Sequence, residues 1–113
     1  MDNKLIEEYV EAAINYGESV EKGDSKKTNK NANIMHEIRV KIKQVENYHN
    51  WFIPLLNHEN DYVKLYSAYL LLQVVPDKAE NVLVELSKKR KLLGFEAEMT
   101  LKEWRKGNLK FNW

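Results

Sequence analysis

Ile53-Pro54-Leu55-Leu56-Asn57-His58-Glu59-Asn60-Asp61-Tyr62-Val63-Lys64-Leu65-Tyr66-Ser67-Ala68-Tyr69-Leu70-Leu71-Leu72-Gln73-Val74-Val75-Pro76 settles what kind of chain this is. Ile53, Leu55 and Leu56 read as the apolar end of a short helix, and a polar turn follows from Asn57 to Asn60. Asp61 stands where an N-cap belongs, because its carboxylate can accept the unpaired N–H groups that open a helix. From Leu65 to Val75 nearly every side chain is apolar. A helix apolar on almost all sides must be covered by other elements. The expectation is a central helix over residues 61–75, ended by Pro76.

Working outward, the same helical spacing recurs on both sides. Leu5, Tyr9, Ala12, Ala13, Tyr16 and Val20 fall on one face of a helix over residues 3–22, opposite Glu7, Glu11 and Glu18. Gly17 weakens that helix and is a place where another helix can come close. Gly23 suits its C′ position, and Asp24 or Ser25 can cap the next helix, over residues 25–46. That second helix carries Met35, Ile38, Ile42 and Val45 on one stripe, but its polar start through Asn29 and Asn31 is weak and prone to fray. A short third helix, residues 48–57, points Trp51, Phe52, Leu55 and Leu56 inward, and Pro54 bends it or lies in its first turn. A fifth helix, residues 77–89, buries Ala79, Val82, Leu83 and Leu86. Gly94 marks the next turn. A sixth, residues 95–106, buries Ala97, Thr100, Leu101 and Trp104 and stops at Gly107. The tail carries Leu109, Phe111 and Trp113. These side chains pack back onto the helices, or else they form a docking strip for a partner.

Composition agrees with this architecture and narrows the chemistry. A chain of 113 residues, 43% of them apolar or aromatic, forms one domain over 1–113 with a core of its own. Two prolines and four glycines argue against a loop-rich or all-β chain. The absence of cysteine excludes disulfides and every cysteine-based zinc or redox motif. The opening Met-Asp-Asn-Lys-Leu-Ile-Glu-Glu lacks the basic stretch and apolar run of a secretion signal. Residues 65–75 are too few to span a bilayer, which takes roughly 20 residues. The expectation is therefore a soluble, cytoplasmic chain with no membrane partner.

No catalytic constellation is visible. His36-Glu37 opens like a zinc-protease motif but has no second histidine four residues on. His49 and His58, with Glu46 and Glu59 near them, share no ligand spacing and read as surface or capping residues. Ser19, Ser25, Ser67 and Ser87 show no nucleophile motif, and no glycine-rich phosphate loop is present. The pairs Glu7-Glu8 and Glu96-Glu98 read as solvated helix residues. No enzyme activity, metal or cofactor is expected.

The charge distribution says more than the net charge of +1. Asp2, Glu7, Glu8, Glu11, Glu18 and Glu21 stand against Lys4 alone in the first 21 residues, whereas Lys88, Lys89, Arg90, Lys91, Lys102 and Arg105 crowd the last third. The acidic face is a candidate surface for a basic protein partner, with a plain solvated face as the bland reading. The basic cluster is the alternative, a nucleic-acid contact, against the ordinary preference of helix C-termini for cations. Nucleic acid is the less expected partner because the chain is not basic as a whole. Tyr48, Trp51, Phe52 and Trp104 read as core anchors, whereas an exposed Trp113 is a candidate hot spot.

Ile53-Pro54-Leu55-Leu56, the polar turn, and then Asp61, Val63, Lys64 and Ala68 resemble the core of a HEAT repeat. In such repeats the Asp caps the second helix and the basic residue after Val ties one repeat to the next, so the resemblance implies these roles for Asp61 and Lys64. The following helical pair starts about thirty residues on, near the period of such arrays, but it has Gly94-Phe95 where the Asp would stand and no counterpart of Lys64. A closer resemblance is to a bacterial family of small, uncharacterised HEAT-like proteins. It rests on Gly23-Asp24 with Asn29-Lys30 after it, on Ile53-Pro54-Leu55-Leu56, on Pro76 with Ala79 and Leu83, and above all on the run from Leu93-Gly94-Phe95-Glu96-Ala97 through Trp104-Arg105-Lys106-Gly107. The resemblance implies an all-α fold, a short HEAT-like α-α superhelix of about six helices. Some members look like immunity proteins encoded beside secreted toxins, which implies a non-enzymatic protein-binding module that neutralises a bacterial toxin.

Overall fold

Apolar positions spaced three and four apart run through most of the chain, and helices form where they do. The computed structural model describes residues 3–111, which fold as six α-helices and a 3₁₀ turn with no strand among them. The helices are α1 (Asn3–Lys22), α2 (Ser25–Ile42), α3 (His49–Phe52), α4 (Asp61–Leu71), α5 (Pro76–Ser87) and α6 (Lys91–Arg105), and the 3₁₀ turn, Ile53–Asn57, links α3 to α4. α1 packs against α2, α4 against the 3₁₀ turn, and α5 against α6. α4 also lies against α1, α5 and α6, so it is the covered element of the molecule. Its Val63, Ala68, Leu70 and Leu71 are fully buried. The extents of 35 × 30 × 26 Å are those of a globule rather than a rod. Among the described residues no helix is long and apolar enough to cross a membrane.

The ends of α1 and α6 are closed the same way. At Gly23 (φ 74°) the Asp24 N–H reaches back to Ser19 O at 2.9 Å, and at Gly107 (φ 74°) the Asn108 N–H reaches Glu103 O at 2.9 Å. This is the Schellman arrangement, which needs a left-handed residue and therefore favours glycine. Asp24 then turns to the next helix and caps α2 by accepting from Lys27 N at 3.1 Å. The polar start of α2 is pinned by side chains: Thr28 Oγ1 lies 2.9 Å from Ser19 Oγ, and Asn31 Nδ2 donates to Lys27 O.

Several boundaries differ from the sequence expectation, each for a local reason. α2 stops at Ile42, and residues 43–48 form turns with Asn47 in the left-handed region (φ 58°). The third helix is one α turn, after which the chain tightens to 3₁₀ as it meets Pro54, which has no N–H to give. With the helical phase changed there, Trp51 points out, 41% exposed, while Phe52 is fully buried. The cap of α4 is Asn60, whose Oδ1 accepts from Tyr62 N at 2.9 Å and Val63 N at 3.1 Å. Asp61 is instead the first helical residue, where its charge suits the positive end of the helix. Pro76 opens α5 at N1 rather than ending α4, which closes at Leu71. Gly94 lies inside α6, not in the turn. The left-handed turn residue is Lys91 (φ 62°), and a Cβ on Gly94 would strike the Lys89 carbonyl group.

Candidate functional site

The acidic residues of α1 are where helical geometry puts them. Glu7, Glu8, Glu11, Glu18 and Glu21 are all exposed. At 100° per residue Glu7, Glu11, Glu18 and Glu21 fall within about 80° of arc. Between α1 and α2, Glu8, Glu11, Asn15, Ile34 and Glu37 line an open groove of about 330 Å³, so α2 extends the acidic surface with Glu37. The salt bridges of the described residues lie elsewhere, at Asp61, Glu80 and Glu85.

The basic residues of the last third are not brought together. Lys88, Lys89, Arg90 and Lys91 sit at the α5–α6 turn, whereas Lys102 and Arg105 sit at the far end of α6. A rise of 1.5 Å per residue puts Lys91 and Arg105 about 21 Å apart. Several are already engaged: Lys88 Nζ is 3.6 Å from Glu85, Lys89 Nζ is 3.8 Å from Asp61, and Arg105 Nε is 3.1 Å from Glu80. Of the residues singled out by the resemblance to HEAT repeats, Val63 and Ala68 are fully buried. Lys64 Nζ pairs with Asp61 in its own helix at 3.8 Å, so the tie from Asp61 to the next hairpin comes from Lys89. His58 holds its turn by accepting the Asn60 N–H at its Nδ1, 2.9 Å away. In the tail, Phe111 stacks on Tyr69 at 5.5 Å and meets Trp104 edge-on, so the packing-back expectation holds for it. Trp113 lies outside the described residues.

A second charged site was not legible beforehand. Glu96 does not behave as a solvated helix residue, although Glu98 does. Its Oε1 accepts from the Tyr16 hydroxyl at 2.7 Å and its Oε2 from the Tyr66 hydroxyl at 3.3 Å. The Tyr16 ring meets Tyr66 edge-on at 5.0 Å and Tyr62 at 6.1 Å. Gly17 lets this cluster form, because a Cβ there would lie 2.6 Å from Tyr62 Cγ. Burial, with Glu96 adding to it, pushes Tyr62 up to about 12. Burial likewise takes Tyr16 to about 12 and Tyr66 far above the ordinary phenol range. These phenols therefore stay protonated; Tyr16 and Tyr66 keep donating to Glu96, while the buried Tyr62 hydroxyl has no hydrogen-bond partner among the described residues. Beside them Arg39, only 8% exposed, donates from Nη1 to the Tyr9 hydroxyl at 3.2 Å and lies 5.2 Å from the centre of the Tyr69 ring. The signal available in the sequence was Tyr62, Tyr66 and Tyr69 at spacings of four and three on an otherwise apolar helix. Their hydroxyls need partners when buried.

Between α4 and α6, Tyr66 and Tyr69 face Phe95, Glu96 and Met99 across a cleft of about 290 Å³. Phe95 is 58% exposed and Met99, one turn later, is 38% exposed, so the outer wall of this cleft is an apolar strip open to solvent. Among the described residues no group of three or more His, Asp or Glu side chains is placed to hold a metal ion.

No protein-family model matches the chain, and no curated protein matches it in sequence. In fold the chain is similar to the protein RPA1889 from Rhodopseudomonas palustris CGA009, whose crystal structure superposes with a TM-score of 0.87 over 97% of this chain and 93% of that one, at 20% sequence identity. Likeness at that identity fixes the fold and carries no activity with it.

Proposed function

We propose that this chain is a non-enzymatic protein-binding module and, in its most concrete form, an immunity protein that neutralises a bacterial toxin in the cytoplasm. The observation that carries the reading is the outward face of α1, where Glu7, Glu8, Glu11, Glu18 and Glu21 stand exposed and Glu37 of α2 extends the field. A mainly acidic surface of this kind, with Lys4 and Lys22 only at the two ends of the helix, speeds encounter with a basic partner and disfavours acidic ones. Toxins that cut nucleic acid have basic clefts, and such a cleft is the complement of this face. The same reading takes the helical pairs as HEAT-like units of a short superhelix and is supported by the buried Val63 and Ala68.

The test is affinity capture of the tagged protein from its own cells, done in parallel with a variant carrying Glu7→Lys, Glu11→Lys and Glu18→Lys. The expected result is one stoichiometric basic protein with a toxin-like domain, held by the natural chain and lost by the variant. Capture of the same protein by both would remove the acidic face from the account. Recovery of nucleic acid in place of a protein would overturn the reading.

A further inference from the structure

We infer that the cleft between α4 and α6 is a receptor for a single cationic side chain, a lysine or arginine of a protein partner, with Glu96 as the charge it meets. The inference is independent of the acidic face, since Tyr16 lies about 140° or more around that helix from Glu7, Glu11, Glu18 and Glu21.

Three observations converge on Glu96. First, it is a half-buried carboxylate with no salt bridge among the described residues, and it accepts from the neutral hydroxyls of Tyr16 and Tyr66. A carboxylate offers about four acceptor sites, so two phenols leave acceptor capacity over. Second, its own helix offers no cation. The residues three and four positions away, where a lysine would pair with it, are Leu92, Leu93, Met99 and Thr100. Third, the walls beside it are aromatic rings and carbon: Tyr66, Phe95 and Met99, with Tyr69 already covered by Phe111 and Arg39. Aromatic faces attract a cation, and the aliphatic stem of lysine or arginine packs against such walls while its head reaches the carboxylate. Arg39, the nearby buried cation, is held by Tyr9 on α1 and lies against Tyr69; it is not among the residues that line the cleft. An acidic side chain would repel Glu96, a neutral polar donor would add a hydrogen bond but leave the charge unneutralised, and a purely apolar one would bury that charge unpaired. A cation is the one class that satisfies both the walls and the floor.

The test titrates the full chain, by two-dimensional amide NMR, with Nα-acetyl-lysine methylamide and with the neutral isostere Nα-acetyl-norleucine methylamide. The lysine compound is expected to move the amides of Tyr66, Tyr69, Glu96 and Thr100 saturably, with an affinity about tenfold above the norleucine compound. Glu96→Gln, checked for an intact spectrum, should erase that preference. Phe95→Ala, an exposed wall residue whose loss leaves the core alone, should weaken binding while keeping the preference. Equal binding of the two compounds would overturn the inference and leave an apolar groove. No saturable shift at these residues, or a preference that survives Glu96→Gln, would overturn it as well.

Discussion

The molecule carries negative charge in two settings. On α1 the glutamates stand in water, on a stripe that helical spacing alone defines. On α6 Glu96 is set among tyrosines from α1 and α4, hydrogen-bonded at 2.7 and 3.3 Å by groups 80 and 30 residues away in the chain. The first setting costs little and contributes little to stability, since solvated charges interact weakly. The second ties three helices together through charge-assisted hydrogen bonds. A glutamate's role is therefore set by what faces it. Spacing along one helix reports direction but says nothing of the far side.

Three changes sharpen this contrast, and alkaline pH should have the largest effect. All six tyrosines of the chain are held above the ordinary phenol range, chiefly by burial. Their unfolded-state values are near 10. As pH rises past about 10 the unfolded chain loses phenolic protons that the folded chain keeps, so stability falls. For Tyr16 and Tyr62 the fall is steepest between about 10 and about 12 and then levels off, because above about 12, the value to which they are pushed up, they ionise in the folded chain as well. Tyrosinate absorbance should thus appear together with loss of helical circular dichroism. Smooth ionisation of the tyrosines in a folded chain would show that the cluster is open to water.

Next in size is Gly17→Ala. Alanine favours the helix by about 1 kcal/mol, but its Cβ would fall 2.6 Å from Tyr62 Cγ. Overpacking of this kind costs about 1–3 kcal/mol, so the net change should be a lower Tm and a loosened Tyr16–Glu96 contact. A stabilised variant would mean that Tyr62 moves aside freely. The smallest effect should come from Glu7→Gln, Glu11→Gln and Glu18→Gln together. These residues are exposed, and each surface change should stay within about 0.5 kcal/mol by chemical denaturation. A large shift would mean that the face has a structural role.

The all-α class was legible because Leu5, Tyr9, Ala12 and their counterparts in the other helices repeat at the helical period, and because the apolar run through α4 demands cover. Gly23 and Gly107 marked true helix ends, since only a left-handed residue closes them as they are closed. Gly17 also read correctly as a point of close approach, where Tyr62 of α4 lies against it, but Gly94 did not. Gly94 serves a close approach of the Lys89 carbonyl inside a helix, and nothing local distinguishes that from a turn. Asn60 and Asp61 are both good capping residues one position apart, so the choice between them depends on where the preceding turn releases the chain. Pro76 is compatible with the end of one helix or the start of the next, and the turn at 72–75 decided it. The acidic face could be read because it needs no partner element. The Glu96 cleft could not, because Tyr16, Tyr66 and Glu96 meet only once α1, α4 and α6 have packed.

The central claim is that the chain binds a basic protein through α1. Its most direct measurement is the affinity of the purified complex at low and at high salt, for the natural chain and for the Glu7→Lys, Glu11→Lys, Glu18→Lys variant. Complementary charge predicts tight, salt-sensitive one-to-one binding by the natural chain, and a variant that binds weakly at both salt concentrations. An unchanged affinity in the variant, with no dependence on salt, would contradict the claim.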